Sequence, residues 1–219
     1  MDWLSRLQRR FGRWYIPHLT EILMTGQGIA WAVMMFLYAS FPSMLALTRD
    51  GLARGQVWRL VTFLFVPIGG TNVMFFLLGL YFLWIMGGAL QAAWGQFRYN
   101  VYLFAGVLGC IAAALITGSA DANWLFQTLF LAYAVLYPEH TMLLFFILPI
   151  PAKWLGWITG LEIFVFFVFG SVATKIQILL SMAGFFLFFG PQLFSGIRAR
   201  IRREAWRRRN RSNWRRGIP

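Results

Sequence analysis

Long apolar segments separated by short clusters of charge are the feature that most constrains this chain of 219 residues. Hydrophobic residues make up 59% of the chain and charged residues only 12%, which is too little charge to cover the surface of a soluble domain. A bilayer core about 30 Å thick requires roughly 20 apolar residues per helix, and several segments reach that length. The sequence therefore predicts an all-α, polytopic membrane protein.

Six membrane-spanning helices are predicted, with turns between them at glycine, proline and charged residues. The predicted spans are residues 28–47, 71–91, 100–118, 122–137, 154–169 and 174–195. The segment from Met142 to Ile150 is also apolar, but Pro149 and Pro151 end it before it could cross a bilayer. We expect that segment to form a loop or hairpin at the membrane interface.

Both ends of the chain are basic and rich in tryptophan. In residues 3–15, aromatic and aliphatic side chains repeat at helical spacing opposite four arginines, which is typical of a helix lying in the headgroup region. A frayed basic terminus is the alternative there. The sequence thus divides into an N-terminal cytoplasmic or interfacial segment (1–27), a membrane domain (28–195) and an arginine-rich cytoplasmic tail (196–219).

The formal net charge of +13 comes mainly from arginine, and ten arginines lie in the tail. Because cytoplasmic flanks of membrane proteins collect Lys and Arg, this distribution predicts that both termini are cytoplasmic. It also favours contact with membrane lipids over nucleic-acid binding, since each arginine near an anionic leaflet contributes about 1 kcal/mol. The arginines expected to contact anionic lipid or a protein partner are Arg198, Arg202, Arg203, Arg207, Arg208 and Arg209.

The sequence contains no pattern typical of a metal site or of a disulfide. Cys110 is the sole cysteine, so neither a disulfide nor a multi-cysteine metal site can form within one chain. No His-Glu-x-x-His arrangement is present. We therefore expect no metal and no cofactor.

Small residues line one face of the predicted third span. Gly106, Cys110 and Ala114 recur every four residues, and faces of this kind allow helices to pack closely in lipid. The pattern predicts a packed helical bundle.

Several segments, taken in order, resemble the rhomboid family of intramembrane proteases. They are Gly55-Gln56-Val57-Trp58-Arg59-Leu60-Val61-Thr62, Leu83-Trp84-Ile85-Met86-Gly87, Leu144-Phe145-Phe146-Ile147-Leu148-Pro149-Ile150-Pro151-Ala152-Lys153-Trp154, and Val172-Ala173. The third segment is the most specific match. The resemblance implies a six-helix rhomboid-like bundle, and it suggests a bacterial inner membrane as the location.

The chain departs from the family where the catalytic residues lie. Counting along the matched segments places Asn123 at the family's serine nucleophile and Gln177 at its histidine base. A carboxamide is neither a useful nucleophile nor a base at neutral pH, and losing either group costs a serine protease a factor of about 10⁶ in turnover. The resemblance therefore implies a scaffold without the reaction, comparable to the derlin-like pseudoproteases.

Polar residues within the predicted spans form a candidate site with two open interpretations. Thr174, Gln177 and Ser181 share a face of the last span, Gln127 shares a face with Asn123, and Glu162 lies midway along the fifth span. These residues either hydrogen-bond between helices or line a polar cavity that accepts a transmembrane client. In the first loop, Trp58 and Arg59 are expected to anchor the loop at the interface.

Three functions are compatible with these sequence features. The first is an inactive rhomboid-like protein that binds transmembrane clients for quality control or assembly. The second is a structural or accessory subunit of a larger membrane complex. The third is a protease with an unconventional Ser–Lys dyad, for which Ser119 and Lys175 are the candidates because a desolvated lysine can act as a base.

Overall fold

The computed structural model of the chain describes residues 9–10, 15–144 and 148–190, and these residues are mostly helical. In chain order, the helices are α1 (Leu19–Phe36), α2 (Phe41–Leu45), α3 (Arg49–Ala53), α4 (Arg59–Thr62), α5 (Val73–Trp94), α6 (Gln96–Thr117), α7 (Ala122–Leu136), α8 (Ala152–Phe169), α9 (Val172–Ser181) and α10 (Ala183–Gly190). The strands are β1 (Leu47–Thr48), β2 (Ser119–Ala120), β3 (Thr141–Leu144) and β4 (Leu148–Pro151). The arginine-rich tail and most of the predicted interfacial helix lie outside the described residues.

Four helices, α1, α5, α6 and α8, are long and apolar enough to cross a membrane. Taken together, α9 and α10 are also long and apolar enough to cross a membrane, although the two helices meet at a bend of 47°. Helix α7 has 15 residues and is therefore about 22 Å long, which is shorter than a bilayer core of about 30 Å. The structure thus contains four to five apolar helices that could span a membrane, as expected for a polytopic helical membrane protein.

The first predicted span was misplaced. The apolar pattern predicted residues 28–47, whereas the helix α1 begins at Leu19 and ends at Phe36. The apolar character continues past the end of α1, but Pro42 stands at the start of the separate short helix α2. Because a proline ring is compatible with a first helical turn and disrupts a helix interior, one continuous helix over 28–47 is disfavoured.

The apolar segment predicted to form a loop or hairpin forms a hairpin. Strand β3 pairs antiparallel with β4, with Met142 opposite Ile150 and Leu143 opposite Pro149. Residues 145–147, between the two strands in sequence, lie outside the described residues. At the other end of the hairpin, the Lys153 ammonium donates to both carboxylate oxygens of Glu139, at 2.9 and 3.0 Å.

The small-residue face of α6 packs at the centre of the bundle, as the spacing predicted. Gly106 contacts Leu125 of α7. Gly109, which the prediction did not include, lies beside this face with its backbone directly against the carbonyl of Leu180 at the end of α9. Beside this contact, the side chains of Cys110 and Ser181 form a hydrogen bond of 3.3 Å. Close backbone approach of this kind requires that no Cβ intervenes.

A polar cluster joins α1, α5 and α6 at the end of the bundle where α1 begins. Thr20 Oγ1 accepts a hydrogen bond of 2.7 Å from Gln91 Nε2 and is 2.8 Å from the hydroxyl of Tyr99. Thr20 and Tyr99 are both buried. Each hydroxyl therefore has a partner in the cluster, as buried polar groups in lipid require.

The loop between α1 and α5 is fastened to the bundle by backbone and side-chain contacts. Strand β1 pairs with β2, so Leu47 lies opposite Ala120 in the turn before α7. Arg59 donates from Nη1 to the carbonyls of Ser43 (2.9 Å) and Ala46 (2.6 Å) and from Nε to Gln56 Oε1 (2.6 Å). Arg59 therefore holds the first loop together.

Replacing Arg59 with methionine should loosen this loop while leaving the membrane helices folded. The substitution removes hydrogen bonds to a charged donor, each contributing about 1.5–3 kcal/mol. Hydrogen exchange of residues 41–65 should accelerate by at least about ten-fold, because 1.4 kcal/mol is a factor of ten in an opening equilibrium. Arg54→Met is the matched control, since Arg54 is exposed and its side chain makes no hydrogen bond within the described chain. Equal exchange in the two variants would contradict the assigned role.

Candidate functional site

A groove runs between α5, α7 and α8. It encloses about 200 Å³, and its lining includes Ile68, Gly79, Phe82, Asn123, Gln127, Ile158 and Thr159. The groove is open at its side, because Asn123 and Ile158 are exposed. The lining is mainly aliphatic and aromatic, with few polar groups, as is common in binding sites.

A second cavity of about 370 Å³ adjoins the groove at the N-terminal end of α7. Residues 66–69, in the turn region before α5, form one wall, and Asp121 and Asn123 at the start of α7 form the other. Ile68, Asn123 and Phe126 line both cavities. The two cavities are therefore neighbours that share one wall.

The N-terminus of α7 positions Asn123 where the two cavities meet. Asp121 Oδ1 caps the helix by accepting a hydrogen bond of 2.9 Å from the backbone N–H of Asn123, the usual role of aspartate at this position. Within the described part of the chain, the carboxamide of Asn123 makes no hydrogen bond. This side chain is thus free to meet a group that enters the groove.

One turn further along α7, Gln127 links the groove to α8. Its Nε2 donates to Glu162 Oε1 at 3.1 Å, while its Oε1 is buried without a hydrogen-bond partner. The predicted shared face of Asn123 and Gln127 is confirmed, because both side chains line the groove. Glu162 lies beside them at the rim and is exposed.

The remaining predicted polar residues lie away from the groove. Gln177 Nε2 donates to the carbonyl of Ser119 at 2.7 Å and to Thr117 Oγ1 at 3.3 Å, and it lines neither cavity. Thr174 pairs with Ser171 at the N-terminus of α9, and Ser181 pairs with Cys110 of α6. Of the two interpretations that the sequence left open, hydrogen bonding between helices describes these residues better than a shared polar cavity. These three residues make hydrogen bonds between or within elements of the bundle.

Asn123 and Gln177, the two positions matched to the rhomboid dyad, make no hydrogen bond to each other within the described residues. The alternative pair is not joined either, because no hydrogen bond in that part of the chain connects Ser119 Oγ with Lys175 Nζ. The backbone of Ser119 instead pairs with Thr48.

Of the residues that line the groove, the sequence predicted only Asn123 and Gln127; Ile68, Gly79 and Thr159 are among those it did not predict. Gly79 allows Ile68 to pack closely on α5, since a Cβ there would lie 2.9 Å from Ile68 Cγ2. Ile68 belongs to an irregular loop, whose packing no periodicity predicts. Thr159 precedes Glu162 by three residues and so shares its helix face, a signal that could have identified it.

Comparison with models of known families, with curated proteins and with solved structures gives no significant match to this chain.

Proposed function

We propose that this protein is a catalytically inactive, rhomboid-like membrane protein that binds transmembrane segments of client proteins in the groove between α5, α7 and α8. The groove itself is the observation that carries the proposal. It is apolar along most of its length, open at its side, and has two carboxamides, Asn123 and Gln127, in its wall. A membrane helix that enters laterally would meet a surface suited to both its aliphatic and its polar residues.

The number of membrane crossings, the side on which the termini lie and the identity of the membrane are part of this proposal. Six crossings result if the short helix α7 spans the membrane and the bent pair of α9 and α10 counts as one crossing. Both termini then lie in the cytoplasm, and a bacterial inner membrane is the proposed location.

The short helices at the groove favour lateral entry. Helix α8 has 18 residues and is about 27 Å long, and α7 is shorter still. A bilayer thins around hydrophobic segments shorter than its core. A thinner bilayer at this side of the protein would lower the cost of moving a polar client residue towards the groove.

The residues at the former catalytic positions support a binding role over a hydrolytic one. Asn123 faces the groove, but a carboxamide lacks nucleophilic and basic character at neutral pH. Gln177 is engaged with the turn before α7. We therefore assign Asn123 to client contact and Gln177 to holding α9 against that turn.

The second candidate, an accessory subunit of a larger membrane complex, is favoured by the exposure of α8. Only 17% of the residues of α8 are buried within the protein, against 44% of the most apolar part of α6. Its exposed face includes Trp157, Leu161 and Phe164. A permanent partner could cover this face, as lipid would otherwise do.

Gentle purification from the native membrane, followed by quantitative mass spectrometry, separates the two candidates. The client-binding proposal predicts varied membrane proteins at substoichiometric amounts, and predicts that filling the groove removes them. One companion complex at fixed stoichiometry, retained when the groove is filled, would support the accessory subunit instead.

A further inference from the structure

We infer that the groove selects transmembrane segments that carry a basic side chain, Lys or Arg, near the middle of the bilayer. This selectivity rests on the proposed function, because it names the class of client that the same groove accepts. The juxtaposition of Gln127 and Glu162 beside an acidic helix cap is the structural basis.

The charged residues that line or contact the two cavities are acidic. Asp121 lines the adjoining cavity, and the carboxylate of Glu162 is hydrogen-bonded to the groove residue Gln127. No Lys or Arg is present among the described residues that line either cavity. Lys153, near the start of α8, is paired with Glu139. A cationic side chain in the groove would therefore meet acidic partners without a competing cation in its lining.

Unsatisfied acceptors point to a donor from the client. Within the described chain, Glu162 has one hydrogen bond, and it involves only Oε1. Gln127 Oε1 has no donor although it is buried, and an unpaired buried acceptor is costly in a membrane. A Lys or Arg head group brings three to five donors and no acceptor. It would bond the free oxygen of Glu162. If the Gln127 amide turned its oxygen towards the groove, the cation would also replace the bond that Gln127 Nε2 now donates to Glu162.

The hydrogen-bond acceptors are also arranged along the path that a basic side chain takes from the bilayer core to its surface. Asp121 is the N-cap of α7, Asn123 and Gln127 lie on one face of the helix that follows, and Glu162 is beside Gln127. One helical turn rises about 5.4 Å, so these groups extend from the end of α7 into the membrane. A lysine side chain could stay bonded while it snorkels towards the surface.

The test uses the full-length protein in liposomes, with Phe82 in the groove replaced by the photoreactive benzoylphenylalanine. Synthetic single-span segments of leucine and alanine are added, identical except for a central Lys, Leu or Glu. We expect the Lys segment to crosslink about ten-fold more than the Leu segment, because charge-assisted bonds exceed ordinary interhelical ones. The Glu segment should crosslink least.

Two substitutions at Glu162 make the test specific. In Glu162→Gln the Lys and Leu segments should crosslink to the same extent, and in Glu162→Lys the preference should turn to the Glu segment. Glu21→Gln on α1 is the matched control and should behave as the unmodified protein, because Glu21 lies outside the groove.

The outcomes distinguish this selectivity from the proposed function. Equal crosslinking of the Lys and Leu segments would overturn the selectivity and leave client binding intact. A preference for Lys that survives Glu162→Gln would overturn the role of Glu162. Adducts only with lipid or with a second copy of the chain would overturn both the selectivity and client binding.

Discussion

Replacing Gly109 with alanine should destabilise the protein by about 3 kcal/mol, at the upper end of the usual cost of overpacking. The added methyl group would point directly at the carbonyl oxygen of Leu180. That atom belongs to the backbone, so no rotamer change can relieve the clash. Helices α6 and α9 would have to separate, which would also break the hydrogen bond between Cys110 and Ser181.

Unfolding of the purified protein in detergent, followed by circular dichroism, measures this effect. Gly88→Ala is the matched control, because Gly88 lies on the helix α5 and a Cβ there meets nothing within 4 Å. Alanine forms helices better than glycine by about 1 kcal/mol, so this variant should be as stable as the unmodified protein or slightly more so. If the two variants unfold at the same temperature, the close contact between α6 and α9 is not formed.

Replacing Thr159 with tryptophan should abolish client binding while the fold is kept. Thr159 lines the groove, and the indole would occupy the space that a client side chain needs. Blocking that space should lower client recovery in the purification by at least about ten-fold, since a clash above 1.4 kcal/mol has that consequence.

Leu161→Trp is the control for this experiment. Leu161 lies two residues further along α8, is 61% exposed and does not line the groove. The substitution places a tryptophan on the outer face of the same helix. Clients retained by the Leu161 variant and lost from the Thr159 variant would locate the binding site in the groove. Clients retained by both variants would place that site elsewhere.

Composition and spacing predicted the fold class, the hairpin and the small-residue face of α6, because each depends on a local pattern. The hairpin follows from an apolar run that Pro149 and Pro151 cut short. The start of α1 was missed for a physical reason as well. Glu21, Gln27 and the flanking His18 interrupt the apolar pattern of residues 17–27, yet Gln27 is satisfied in part by the carbonyl of Leu64.

The site was only partly predictable. Asn123 and Gln127 share a helix face because they are four residues apart, and that spacing can be read from the sequence. The distance of these two residues from Gln177 cannot be predicted from the sequence, because it depends on how α9 packs against the turn at Thr117 and Ser119. Likewise, no pattern predicts that Gln127 meets Glu162 across two helices.

Photocrosslinking in the native membrane tests client binding in the groove most directly. Benzoylphenylalanine would replace either Phe82, which lines the groove, or Phe164, which lies on the exposed face of α8. We expect adducts from Phe82 to transmembrane segments of other proteins, with the attached peptides mapped by mass spectrometry, and adducts from Phe164 chiefly to lipid. Protein adducts from Phe164 alone, with none from Phe82, would contradict client binding in the groove.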